Sequence, residues 1–380
     1  MATKNNDKTL NVPHLRFPEF SGEWETTSIG EQFELYSGNT PTRINKNQFN
    51  GSINWITSGE LKGHYISDTK EKISEEAVRN NNLKILPLGT FVIAIYGLEA
   101  DGVRSTCSIT AKESTISQAC MAFTSKKDIQ NEFLYSWYKK HGNIIGIKYA
   151  QGTKQQNLSY DIIEKFNISY PSLEEQEKLI RFISLIEERI ATQNKIIEKL
   201  ESLIRGLCLK LVSQGIPNTA LNTCLECHSS ILQEKSVTTD GKYPVYGAAG
   251  ICGYSNTPEA SGDSILIIKD GASVGATFYV SGEYSAIGTL NRLTARSGCS
   301  LRYLYYCLKI FDFSQYKTGQ AIPHIYFRDY GIAKIWCPSL AQQEYIAGIL
   351  TSIDTKIQME RSLLERLTIQ KRFLLQQMFI

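Results

Sequence analysis

Tyr149, Gly152, Ile168, Pro171, Ser172, Leu173, Gln176, Glu177, Ile186, Ile190, Leu200 and Leu207 each recur as the same amino acid 167 positions later, with no gap. Their partners are Tyr316, Gly319, Ile335, Pro338, Ser339, Leu340, Gln343, Glu344, Ile353, Ile357, Leu367 and Leu374. A block of this length written twice, and only twice, excludes a solenoid, which needs several stacked repeats to bury its faces. It predicts instead a pseudo-two-fold chain that does one job at two places.

Within the repeat, Leu179, Ile183, Ile186, Ile190, Gln193, Ile197, Leu200, Ile204, Leu207 and Leu211 are spaced alternately by four and three, the pattern of a heptad seam. The second copy carries Ile346, Leu350, Ile353, Ile357, Glu360, Leu364, Leu367, Lys371, Leu374 and Met378 at the matching places. Each seam follows a Pro-Ser pair, Pro171-Ser172 or Pro338-Ser339, which ends the preceding extended segment and caps a helix. Helices of about 40 residues would be about 60 Å long, and one apolar stripe apiece leaves them unstable alone. They are expected to pair. The first leads out of one globular segment and the second starts from the other, so only an antiparallel pair buries both seams. Gln193 and Glu360 lie near the seam midpoints and are expected to meet as a polar contact that fixes alignment.

The chain then divides into residues 1–170, a helix over 171–214, residues 215–337 and a second helix over 338–380. The globular segments read as mixed α/β, with buried strands at Thr90–Tyr96 and Ser264–Ile268 bounded by glycine. Their fronts also match, Ile29–Leu35 with Leu221–Cys227, but at an offset of 192. The first segment therefore holds about 25 extra residues, expected to include Ile53–Lys62. Gly30 and Glu31 become Asn222 and Thr223 in the second front, which blurs its boundary.

A net charge of +3, from 41 Lys+Arg against 38 Asp+Glu, excludes a polycation that coats nucleic acid indiscriminately. Any DNA contact must come from local placement. Residues 1–11 lack the apolar core of a signal peptide, no stretch approaches the roughly 20 apolar residues of a membrane span, and nine cysteines read as reduced thiols, so a cytoplasmic protein is expected.

Cys224-Leu-Glu-Cys227-His228 has the spacing of a haem attachment or half a zinc site, but Cys252 and Cys299 do not supply a second close pair, and the first copy has Gln32 and Leu35 at the cysteine positions. No metal and no cofactor is expected. Gly271–Thr277 lacks the lysine of a phosphate loop and reads as a strand-to-strand turn. No Asn-Pro-Pro-aromatic or Asp-Pro-Pro-aromatic tetrapeptide of the amino-methyltransferases is present, and the five histidines offer no nucleophile–base set.

Polar and aromatic residues on loops remain. Tyr149–Asn157 and Tyr316–His324 place glycine beside amides and a cation just before the last strand of each segment. Such groups can bond adenine, guanine or phosphate, and a plain solvated turn is the competing reading. Candidate DNA contacts are Arg43, Lys62, His64, Tyr65, Arg104, Lys154, Gln155 and Asn157 in the first segment. Those in the second are Lys242, Tyr246, Lys269, Arg292, Lys317, Gln320 and His324.

Several stretches in order resemble the specificity (S) subunits of type I restriction-modification systems, the HsdS family. They are Leu15–Phe20 with Trp24, Trp55–Lys62, Ile95–Leu98, Gln118–Met121, Gly241–Gly247, Gly253–Ser255 and the two Pro-Ser-Leu heptad helices. The glycine loops look like the family's end-of-domain motif. The resemblance implies a non-catalytic α/β (α+β) protein of two target recognition domains joined by two long antiparallel coiled-coil helices. Each domain would read half of a bipartite site in double-stranded DNA. The helices would set the spacing and dock two methyltransferase (M) subunits, with restriction/translocase (R) subunits joining and the methyl donor and ATP held on the partners. A self-contained DNA methyltransferase and a coiled-coil adaptor unrelated to DNA are the rival expectations.

Overall fold

The computed structural model describes residues 10–99, 102–152 and 156–380. The chain forms two compact units, one of the described residues up to Thr192 with Leu364–Ile380, the other of Gln193–Leu363. Among the described residues no helix is long and apolar enough to cross a membrane.

The first unit is built on a five-stranded sheet in the order Phe33–Ser37, Cys120–Ser125, Phe91–Ala94, Cys107–Thr110, Tyr65–Ile66. The central strand Phe91–Ala94 is buried along its whole length, as its unbroken apolar run requires of a strand covered on both faces. Helix Asn131–Tyr149 packs on the sheet through Phe133, Leu134, Trp137 and Tyr138. A three-stranded sheet of Lys72–Ile73, Ile53–Ile56 and Ser114–Ile116 closes a smaller core around Trp55.

The second unit repeats the plan in reduced form. Strands Leu225–Ser229, Leu290–Ala295, Ser264–Ile268 and Thr277–Val280 form one sheet, covered by helix Leu301–Ile310, and Tyr243–Gly247 is central to a second small sheet. The segment Gly271–Ala276 is the turn between Ser264–Ile268 and Thr277–Val280.

Strand pairing fixes the equivalence of the units residue by residue. Phe33 opposes Ser125 as Leu225 opposes Ala295, which gives offsets of 192 and 170. Ala94 opposes Cys120 as Ile268 opposes Leu290, an offset of 174 for the central strand. Of the 25 extra residues in the first unit, 18 therefore precede the central strand, where Ile53–Lys62 lies. The fronts coincide: Ile29 and Gly30 donate their N–H groups to Phe166 and Glu164, and Leu221 and Asn222 donate theirs to Ala333 and Gly331. The change from Gly30 to Asn222 leaves that pairing intact.

The long helices span Leu173–Val212 and Leu340–Met378. In the first unit Leu179 and Ile183 pack in one core with Leu374, Leu375 and Met378. In the second, Ile204, Cys208 and Val212 pack with Ile346, Leu350 and Ile357. The start of each helix thus meets the end of the other, and the helices run antiparallel. Gln193 Nε2 donates to the backbone oxygen of Glu360 at 3.1 Å and also to its carboxylate, so the polar seam contact is made.

The repeated glutamine has a structural task. Gln176 is fully buried, donates to the carbonyls of Pro171 (3.0 Å) and Asp128 (2.7 Å), and accepts from the amide of Gln130 (3.0 Å). Gln343 donates to the carbonyl of Pro338 (2.8 Å) and accepts from the amide of Ser300 (2.9 Å). Each ties the start of a long helix to the start of the helix that covers the sheet. At the front of the chain Arg16 adds a bidentate pair to Glu175, at 2.8 and 2.7 Å.

Candidate nucleic-acid interface

Both glycine loops are closed by the same two backbone hydrogen bonds. Gln151 and Asn157 exchange N–H to O contacts of 2.8 and 2.9 Å, and Thr318 and His324 do so at 2.9 and 2.8 Å. Gly152 and Gly319 sit at φ of +117° and +88°, in the left-handed region that a side chain resists. At Gly319 a Cβ would stand 2.4 Å from the carbonyl oxygen of Ile322. Each loop docks on the end of the central strand of its sheet, where Leu158 N–H donates to Ile95 and Ile325 N–H donates to Lys269. Just beyond, Gly97 (φ +73°) and Gly271 (φ +104°) turn the strand away. The sequence thus places two flexible-backbone turns against each other at equivalent positions in both units, and their polar side chains differ.

In the first unit this place holds Arg104, Gln156 and Asn157. Arg104 donates to the Gln156 side-chain oxygen at 3.1 Å, while its Nε and the Oδ1 of Asn157 are buried without a hydrogen-bond partner. Lys154 and Gln155 lie outside the described residues. In the second unit His324 Nδ1 meets the Asp270 carboxylate at 2.6 Å, beside half-buried Lys269, with Lys317 and Gln320 exposed on the loop. Asp270 and Gln156 were not among the sequence candidates. Their signal was position: Asp270 immediately precedes the turning Gly271, and Gln156 immediately precedes the residue that closes the loop.

The other candidates are spread around each unit. Arg43 is exposed, bound bidentately to Glu71 at 2.7 and 2.8 Å and set over the Phe49 ring. Lys62 is exposed. Lys242 is exposed beside the Tyr243 ring at 5.0 Å, and half-buried Tyr246 packs edge-on against Tyr284 at 5.8 Å. Arg292 lines a cavity of about 180 Å³ with His228, Ser229, Ser230, Glu259 and Tyr284.

His64 and Tyr65 are engaged within the first unit. His64 is sandwiched between Tyr65 and Tyr135, with ring centroids 4.2 and 4.0 Å away. Its Nδ1 meets Glu187 at 2.5 Å and its Nε2 meets Glu132 at 2.7 Å, so both ring nitrogens are occupied. Tyr65 donates to Glu132 at 2.8 Å, and Lys371 pairs with Glu187. Burial opposes the imidazolium charge, but the hydrogen bonds to Glu132 and Glu187 outweigh it and raise the His64 pKa to about 9. Burial likewise opposes the Glu187 carboxylate, and His64 with Lys371 still hold it below its ordinary value. This cluster locks the turn before Tyr65 onto the long helices. The sequence carries no local signal for it, since Glu132, Glu187 and Lys371 are far along the chain.

Comparison with known proteins adds to this geometry. The family model of the type I restriction modification DNA specificity domain matches twice, over residues 21–202 and 226–368. The chain is 28% identical over 185 residues to the specificity subunit of the type I restriction enzyme MjaIX of Methanocaldococcus jannaschii, which covers 47% of this chain and 42% of the relative. It is 28% identical over 173 residues to the EcoR124I/EcoR124II specificity subunit of Escherichia coli, again covering 42% of that protein, so each of these matches spans under half of the relative's length. The EcoprrI specificity subunit of Escherichia coli matches at 22% identity over 372 residues, 88% of each chain. In fold the chain is similar to the crystal structure of the type I S subunit from M. genitalium, with a TM-score of 0.67 and 18% identity over 97% of this chain and 99% of that one. A second solved structure, from work on assembly and conformational transition of the type I R-M system, matches with a TM-score of 0.56 at 15% identity over 93% of this chain and 96% of that one. Two matches to one domain family that together span most of the chain, each centred on a unit with the same glycine loop, make this chain a member of the type I restriction-modification DNA specificity family.

Proposed function

We propose that this chain is the non-catalytic sequence-reading subunit of a type I restriction-modification complex, in which each unit reads one half of a bipartite site in double-stranded DNA. The observation that carries the reading is the pair of equivalent loops, 151–157 and 318–324, held by identical backbone bonds on equivalent strand ends but presenting different polar groups. One frame that offers two sets of donors and acceptors is what recognition of two different half-sequences requires. We take Arg104, Asn157, Lys269, Lys317, Gln320 and His324, at or beside the loops, as the leading candidates to contact DNA, together with Lys154 and Gln155, which fall between 151 and 157 in the sequence, and with Arg292. Arg43, Lys62, Lys242 and Tyr246 are candidates at the margins of the units.

The long helices would set the distance between half-sites and dock two methyltransferase subunits, to which restriction/translocase subunits add. Methyl donor and ATP would be held by those partners, in the cytoplasm. A net charge of +3 suits a reader whose partners supply part of the phosphate contact. A self-contained methyltransferase is disfavoured by the missing catalytic tetrapeptide. An adaptor unrelated to DNA gives no reason for two loops so alike in backbone and so different in side chains.

The test is to express the chain with its methyltransferase partner and map methylated bases across the host genome. A split motif of two half-sequences at fixed spacing is expected. Inserting one heptad, a rise of about 10 Å, into one or both helices should change the spacer or abolish assembly and leave the half-sequences alone. Altered half-sequences at an unaltered spacing would defeat the reading.

A further inference from the structure

Cys224, Cys299 and Cys337 come from three distant stretches of the second unit: the end of the short helix Leu221–Cys224, the turn before helix Leu301–Ile310, and the residue before Pro338. Their sulfur atoms all lie within 4.8 Å of one another. Cys227, the partner that spacing alone would assign to Cys224, is not in the group.

The internal repeat gives a control for this place. Lys126 N–H donates to Gln32 as Arg296 N–H donates to Cys224, and Gln130 N–H meets Gln176 as Ser300 N–H meets Gln343. With the offsets of 192, 170 and 167 these pairings make Gln32, Ile129 and Tyr170 the first-unit counterparts of Cys224, Cys299 and Cys337. There the junction is closed without sulfur: Gln32 donates to the Tyr170 hydroxyl at 3.3 Å and accepts from the Asp128 amide at 3.1 Å, over fully buried Ile129. The frame therefore needs no thiol here, yet all three positions carry one in the second unit.

We propose that Cys224, Cys299 and Cys337 form a thiolate site for a zinc ion, which staples the front of the second unit to the stem of the second long helix. Tetrahedral zinc with bonds of about 2.3 Å to sulfur separates its ligands by about 3.8 Å, and Cys224 Sγ lies 3.9 Å from Cys337 Sγ. A disulfide would need about 2.05 Å. Cys224 is buried while Cys299 and Cys337 are partly exposed, so the fourth ligand of such a zinc would be a water on their side. Around them, Gln343 Nε2 donates to Cys337 Sγ at 3.3 Å, and Cys337 N–H donates to Asn218 Oδ1 at 2.8 Å. Gln343 also holds Ser300, the neighbour of Cys299, so a single buried amide positions two of the three ligand segments. On binding, each thiol that ligates gives up its proton to solvent and no electron moves.

The full chain, purified under a non-thiol reductant, should retain about one zinc per chain by elemental mass spectrometry. After cobalt exchange it should show a sulfur-to-cobalt charge-transfer band. The variant Cys224→Ser/Cys299→Ser/Cys337→Ser should lose both signals, and Cys227→Ser should keep both. A second variant, Cys224→Gln/Cys299→Ile/Cys337→Tyr, rebuilds the first unit's closure and should fold without zinc. Zinc retained by either triple variant, zinc absent from the wild-type chain, or a Cys224–Cys337 disulfide found by peptide mapping of that chain would overturn the assignment.

Discussion

Titrating His64 should weaken the first unit by an amount that depends on pH in one direction only. In the folded chain the imidazole, 17% exposed and bonded to Glu132 and Glu187, has its pKa raised from 6.5 to about 9. The folded state therefore holds the proton more tightly than the unfolded state does. The stabilisation is complete below the unfolded pKa of about 6.5 and is lost as pH rises through about 9. Moving the pKa from 6.5 to about 9 corresponds to about 3.5 kcal/mol at about 1.4 kcal/mol per pH unit. Three of the four tryptophans, Trp24, Trp55 and Trp137, belong to the first unit, so a Trp336→Phe background makes fluorescence report that unit. Urea unfolding in this background should show a gap between His64 and His64→Gln that is widest near pH 6 and closes between pH 6.5 and 9. Groups that titrate elsewhere act on both proteins alike and cancel from the difference. A gap of constant size from pH 6 to 9.5 would refute the reasoning, because it would mean that His64 is held by stacking between Tyr65 and Tyr135 and not by its charge.

The buried glutamines offer a matched pair: Gln176→Ala strands the amide of Gln130 and Gln343→Ala that of Ser300, and each should cost about 1–3 kcal/mol, read as faster hydrogen exchange at the start of the adjacent helix. Gly319→Ala forces a side chain onto a left-handed backbone and into the Ile322 carbonyl, a strain of about 1–3 kcal/mol. It should weaken DNA binding in anisotropy titrations while leaving the melting of the helices unchanged. Gln193→Leu with Glu360→Leu should raise the melting temperature by replacing a buried polar contact with packing. If Gln193 and Glu360 fix alignment, the double variant should also alter the spacer between half-sites seen in methylation mapping, and an unaltered spacer would remove that role.

What could be read in the sequence was whatever is written twice or at fixed periods. The heptad spacing located both helices, because a seam buried against a partner must recur every three or four residues. Gln176 and Gln343 stood out because each satisfies the same backbone groups in its own unit, so neither could drift without stranding an amide. The glycine loops were visible for the same reason. The contacts of His64 cannot be read in the sequence because its partners Glu132 and Glu187, and Lys371 behind Glu187, lie on three helices that the fold alone brings together. The cysteine cluster was hidden likewise. Local spacing pointed Cys224 at Cys227, whereas the sheet and the stem deliver Cys299 and Cys337.

The offsets themselves carry a further argument. They fall from 192 at the first strand to 174 at the central strand, 170 at the next paired strand and 167 at the loop and long helix. Length has thus been gained or lost ahead of the central strand, between it and its outer neighbour, and between the start of the covering helix and the loop, while the connections 110–120 and 280–290 keep theirs, as does the run from the loop into the long helix. Backbone bonds at the front, the strand end, the loop and the glutamine clamp survive each change, so these are the contacts the fold depends on. Insertions are tolerated where a connection runs over the surface and closure costs little extra entropy. In this chain one of those connections, 95–106 in the first unit and 269–276 in the second, starts at the strand end where the loop docks. There variable length and variable polar side chains coincide, which is the arrangement expected if one scaffold has been kept while two different sequences came to be read.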